Sequence, residues 1–128
     1  MSIAVITLFI LSVLPITLGW VSGSFRHKQL GVVDNKEPRI QNQQLTGAGA
    51  RAVAAQNNAW EALAVVTAAV VALSLSNVDI AAYAMYFYAL IILRVLHAVF
   101  YISNQDILRS LAFVGGFGIC IYFFILAL

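Results

Sequence analysis

Four long apolar stretches, about 3–21, 47–76, 80–102 and 107–127, leave this chain few ways to fold. Each reaches the roughly 20 residues that a helix needs to cross the hydrocarbon core of a bilayer. No water reaches that core to satisfy free backbone groups, so spans of this kind must be helices. The balance of residues agrees: 62% are hydrophobic and 9% are charged, against about 25% charged in soluble domains. The expected fold is all-α, an integral membrane four-helix bundle, in one domain covering residues 1–128.

The first stretch carries no charge and no basic segment precedes it. It therefore reads as a span and not as a cleaved signal peptide. Pro15 lies inside it, where a kink is tolerated if neighbours satisfy the freed carbonyl. The net charge of +2 is small and scattered, which argues against a nucleic-acid partner. A single cysteine, Cys120, rules out an internal disulfide and reads as a small core or lipid-facing residue. Two histidines with no suitably spaced cysteines are too few ligands for a metal site.

Basic residues set the topology. The connection after the first span, about 22–45, holds Arg26, Lys28, Lys36 and Arg39, and the next connection, around Ser76–Asp79, holds none. The positive-inside rule places the first connection in the cytoplasm and both termini on the other side. The third connection, around Ser103–Asp106, is then cytoplasmic too. Pro38 argues against a helix through the long loop, and a loop of that length is usually surface or functional. The second long helix should start near Thr46, with Asp79 and Asp106 as candidate caps for the third and fourth.

Polar residues interrupt the apolar helices in a regular way. On the second, Arg51, Asn58 and Glu61 are spaced by seven and three, which puts them on one face. Ala52, Ala55, Ala59 and Ala62 form a small apolar face opposite, suited to close packing in a bilayer. That arrangement predicts a central helix with its polar stripe turned inward. On the third, Arg94, His97 and Tyr101 form another stripe. Arg109 and Ser110 open the fourth. Asn57 falls off the Asn58 face and reads as a helix–helix hydrogen bond, and Trp60 as packing.

A cation at membrane depth costs roughly 2.5 kcal/mol or more and needs compensation. One source is internal: Glu61 could pair with Arg94 simply to lock the bundle. The other is a ligand. Three basic residues (Arg51, Arg94, Arg109) face one carboxylate (Glu61), so a shared cavity carries net positive charge. The ligand it suits is small, anionic and peptide-like, since arginine binds carboxylates through paired hydrogen bonds.

These residues resemble a known family, the MAPEG superfamily of membrane-associated proteins in eicosanoid and glutathione metabolism. The segment Arg51-Ala-Val-Ala-Ala-Gln-Asn-Asn-Ala-Trp-Glu61 is similar to its second-helix signature. Arg94-Val-Leu-His97-Ala-Val-Phe-Tyr101, followed by Leu108-Arg109-Ser110, is similar to its third-to-fourth-helix segment. The short, charge-poor chain looks like the bacterial branch. It departs from many eukaryotic members at Asn57, where they carry Arg, and after Glu61, where they carry Pro.

The resemblance implies a homotrimer in the bacterial inner membrane, with active sites between subunits near the cytoplasmic side. It implies a transferase or peroxidase with glutathione, or another small thiol, as co-substrate, held by Arg51, Asn58, Glu61, Arg94, His97 and Tyr101. Arg109, with Ser110, would sit by the thiol and lower its pKa. Arg26 resembles a basic residue at the end of the first helix that helps the site, and Asp34 stands where an acidic loop residue matters in some members. The other substrate would be a lipophilic electrophile or hydroperoxide arriving from membrane lipid. Some members of the family bind lipid and catalyse nothing, so a non-catalytic binder of a lipophilic ligand or partner is the alternative.

Overall fold

A computed structural model describes residues 2–128 of the chain. It holds four helices of membrane-spanning length and no strand among the described residues. They are α1 (Ile3–Leu30), α3 (Gly47–Leu75), α4 (Ala84–Ile102) and α5 (Asp106–Ala127), with a five-residue helix α2 (Pro38–Asn42) in the first connection. A 3-10 turn over Ile80–Tyr83 leads into α4, and the Asp79 carboxylate caps it by accepting from the Ala81 N–H. The all-helical, four-span plan read from the sequence is thus present.

The first helix runs well past the apolar stretch that announces it. Residues 22–30 are mostly polar, yet α1 continues through them to Leu30. Gly31 stops it with φ +78°, a left-handed conformation that glycine adopts at no steric cost, and its N–H bonds back to the His27 carbonyl at 3.0 Å. The first connection is correspondingly shorter than expected. Pro38 lies at the first turn of α2, the place in a helix where its missing N–H costs nothing. Asp106 is the first residue of α5 and makes no side-chain cap bond; it sits in the first turn, where a negative charge favours the helix dipole.

Two core regions stack along the bundle. The end that holds the termini is filled by large side chains, with Leu73, Phe87, Leu90 and Phe123 fully buried and the Phe87 and Phe123 rings 4.6 Å apart. The end that holds the long loop is filled by small ones: Ala55, Ala59 and Ala98 around Leu18. Small residues let helices approach closely where lipid supplies no hydrophobic drive for association. At Gly49 a side chain would meet side-chain atoms of Gln29, Phe25 and Leu45 within 3.3 Å, so the bare glycine lets α1 pack closely on α3 there. Gln29 locks this approach by exchanging two hydrogen bonds with the Thr46 backbone, at 3.0 and 3.1 Å.

The alanine face of α3 is the one turned inward: Ala52, Ala55 and Ala59 are almost wholly buried. The polar stripe lies on its flank, with Asn58 half-buried and Glu61 exposed. This corrects the expectation of an inward polar stripe. Small side chains pack the tight centre of the bundle, and the longer polar ones are displaced to the seam between α3 and α5.

Candidate functional site

Arg94 is the buried cation at the centre of the candidate site, 4% exposed on α4. Its Nη2 donates to the Asn58 side-chain oxygen at 2.6 Å and to the Asn58 carbonyl at 3.4 Å. The acceptor is therefore Asn58 on α3, and not the Glu61 carboxylate one turn further on. Arg94, Asn58 and Glu61 together line one end of a cleft of about 150 Å³ between α3, α4 and α5. The rest of its wall is apolar: Ala62, Val65 and Val66 from α3, Leu90 from α4, and Phe113, Phe117, Gly116 and Cys120 from α5. Gly116 makes the room, because its missing side chain faces Arg94 Cδ and Leu90 Cδ1 at ordinary contact distance. Cys120 is buried in the core, one of the two places its sequence context suggested.

The remaining candidates continue along α4 and α5 toward the loop end. His97 is buried and packs edge-on to Tyr101, with ring centroids 5.6 Å apart, and against Phe113 at 6.1 Å. The Arg109 guanidinium lies 4.4 Å from the centre of the Tyr101 ring, a cation–π contact that keeps its charge beside this row. Arg51 Nε donates to the Ile102 carbonyl at 3.1 Å, joining the start of α3 to the last turn of α4. Ser110 is exposed and bonds to the Asp106 carbonyl within its own helix. Arg109 and Ser110 border a shallow surface groove with Asp106 and Leu111, separate from the Arg94 cleft. Among the described residues no group of His, Cys, Asp and Glu side chains is placed to hold a metal ion.

A second and larger cavity, about 530 Å³, opens at the loop end between α1, α2 and α3. Arg26, Arg39, Asn42, Gln56 and Asn57 give it a polar wall, and Trp60 borders it. No carboxylate lines it. Asn57 and Trp60 thus face this cavity instead of serving as a helix–helix bond and as interior packing; Trp60 is half exposed. The physical reason is the helical step of about 100° per residue. It turns Asn57 to one side of α3 and Asn58 to the other, so the helix presents two polar faces.

The loop beside this cavity is organised by residues that sequence reasoning did not single out. Gln41, 7% exposed, accepts from the Asp34 N–H at 2.8 Å and donates to the Val32 carbonyl at 2.7 Å. Nothing in the spacing of a polar, aperiodic loop signals such a role. Asp34 itself works locally: its carboxylate accepts from the Lys36 and Glu37 N–H groups, and its carbonyl accepts from Arg26.

Comparison with known proteins gives one result. No similar curated protein and no similar solved structure was found. A sequence model of the MAPEG family, however, matches residues 3–128. Because that match runs through all four membrane-length helices and both polar faces of α3, the chain belongs to the MAPEG family, membrane proteins broadly tied to glutathione and eicosanoid metabolism.

Proposed function

We propose that the protein is a thiol-dependent transferase or peroxidase that uses glutathione, or a related small thiol, on lipophilic electrophiles or hydroperoxides. One observation carries this reading: a single cleft is polar at Asn58, Glu61 and Arg94, where one guanidinium and one carboxylate stand at the same end, and apolar along the rest of its length. Such a cleft brings a charged thiol peptide and an apolar partner together. The thiolate is the nucleophile, and its sulfur forms the new bond to the electrophilic carbon as that carbon's leaving group departs with the bonding pair. With a hydroperoxide, two thiols are oxidised to a disulfide while the peroxide is reduced to an alcohol and water. In this reading Arg109 stabilises the thiolate, since a guanidinium keeps its charge and exchanges no proton.

The cleft is too small to enclose a whole tripeptide. The two polar faces of α3 suggest how it is completed in a homotrimer. A ring of identical subunits joins one surface patch to a different one on its neighbour. The Arg94 cleft of one subunit then meets the cavity of Arg26 and Gln56 on the next. Arg51, His97 and Tyr101 extend the polar row toward that junction. The loop end lies in the cytoplasm by its basic residues, with both termini outside the inner membrane.

The test is calorimetry of glutathione binding to the detergent-purified protein, with Arg94→Met as control and Arg109→Leu carried into a turnover screen. Binding lost in Arg94→Met, together with an Arg109→Leu protein that binds but does not turn over, is the expected result. Absence of binding by the folded wild type overturns the thiol reading. The second reading is a non-catalytic binder of lipophilic molecules, and the placement of Arg109 outside the Arg94 cleft favours it. It predicts uptake of apolar ligands with no thiol chemistry at any pH.

A further inference from the structure

The loop-end cavity has an unusual wall. Arg26 is 9% exposed, yet its Nε donates to no group among the described residues. The Asn42 side-chain oxygen is equally buried and equally unpaired. Buried polar atoms are nearly always satisfied, so two bare ones on residues that line a cavity mark an incompletely partnered polar wall. Arg26 and Arg39 make the cavity cationic with no carboxylate to oppose them. What keeps Arg26 in this position is Gln41. Its side-chain oxygen lies 3.4 Å from Arg26 Nη1, and the same oxygen holds the Asp34 N–H. Asp34 in turn presents its carbonyl to Arg26 Nη1 at 3.3 Å. Meanwhile Gln41 Nε2 draws in the Val32 carbonyl.

We infer that Gln41 is a positioning residue: it clamps the loop between α1 and α3 and thereby sets the Arg26 guanidinium as the anion-attracting group of the loop-end cavity. An amide is required at this place because both an acceptor and a donor are used at once. Leucine supplies neither. Glutamate keeps the acceptor, loses the donor to Val32, and sets a negative charge against Arg26. The inference rests on reading this cavity as part of the anion-binding site, but it concerns the charge of the cavity and not the identity of the thiol.

Trp60 borders the cavity, and the chain has only two tryptophans. In a Trp20→Phe protein, quenching of Trp60 by iodide reports how strongly the cavity attracts an anion, and acrylamide serves as the neutral control. Gln41→Leu and Arg26→Leu should each lower iodide quenching by a similar factor, roughly threefold, with acrylamide quenching unchanged. The double variant should fall no further, since residues acting through one group are not additive. Gln41→Glu, which keeps an acceptor for the loop, should lower iodide quenching as well. The inference is overturned if Gln41→Leu and Gln41→Glu match the wild type while Arg26→Leu does not, or if the Gln41 and Arg26 effects add. Iodide needs no glutathione site, so failure of the thiol reading in calorimetry and failure of this inference are separate results.

Discussion

At the scale of single residues, the decisive pairing is Arg94 with Asn58. A guanidinium in the middle of a membrane-length helix needs an acceptor, and the 2.6 Å bond to the Asn58 oxygen supplies it. The need itself is legible in the sequence, where Arg94 stands in an apolar run. The partner is not, because Asn58 and Glu61 share a helix face and both can accept. Geometry selects Asn58, on the half-buried side, and leaves Glu61 exposed for other work. Asn58→Leu conserves volume and removes the acceptor, so it should destabilise the folded protein by about 1–3 kcal/mol, whereas Asn58→Asp should not. Unfolding of both variants in detergent is the measurement. Equal stability of Asn58→Leu and wild type would show that Arg94 is held by something else.

At the scale of elements, the close approach of α1 and α3 decides where the loop-end cavity forms. Gly49 permits it, and Gln29 fastens it to Thr46. A side chain at Gly49 would lie 2.9 Å from Gln29 Nε2 and 3.2 Å from Phe25 Cβ. Gly49→Val should therefore push the two helices apart, at a cost of about 1–3 kcal/mol, and loosen the segment from Gly31 to Thr46. Limited proteolysis should cut that segment faster in Gly49→Val than in wild type; an unchanged cutting rate would mean that the loop is held independently of helix spacing. The continuation of α1 to Leu30 belongs to this scale too. Hydropathy marks where a helix leaves the membrane, and not where it ends. A polar helix can continue in water, and only the turn at Gly31 stops it.

At the scale of the whole molecule, α3 carries one polar face toward the Arg94 cleft and another toward Arg26. In the proposed trimer, a closed ring of subunits would bring the two faces together at every interface. Two variants, Arg26→Leu and Arg94→Met, should each abolish glutathione binding alone. Co-expressed at equal levels, they should recover about one functional site in four, because that fraction of interfaces joins an intact cleft to an intact neighbouring cavity. Calorimetric stoichiometry of the mixed protein measures this. No recovery would show that each subunit holds its ligand unaided.

The number of spans, their helical nature and the residues available for a polar site were all set by the sequence alone, because a bilayer leaves apolar segments of that length a single solution. The polar rows in Arg51–Glu61 and Arg94–Arg109 were readable for the same local reason: helical spacing places such residues in rows without reference to the rest of the fold. The tertiary structure decided which row faces which space. It turned the alanines of α3 inward and its polar residues to the flanks, parted Asn57 from Asn58 onto two cavities, set Arg109 on the Tyr101 ring, and buried Gln41 as the hub of the loop. Those outcomes depend on how closely the helices approach. That distance is set by small residues such as Gly49 and Ala55 meeting partners far away in the chain, and no local pattern in the sequence records it.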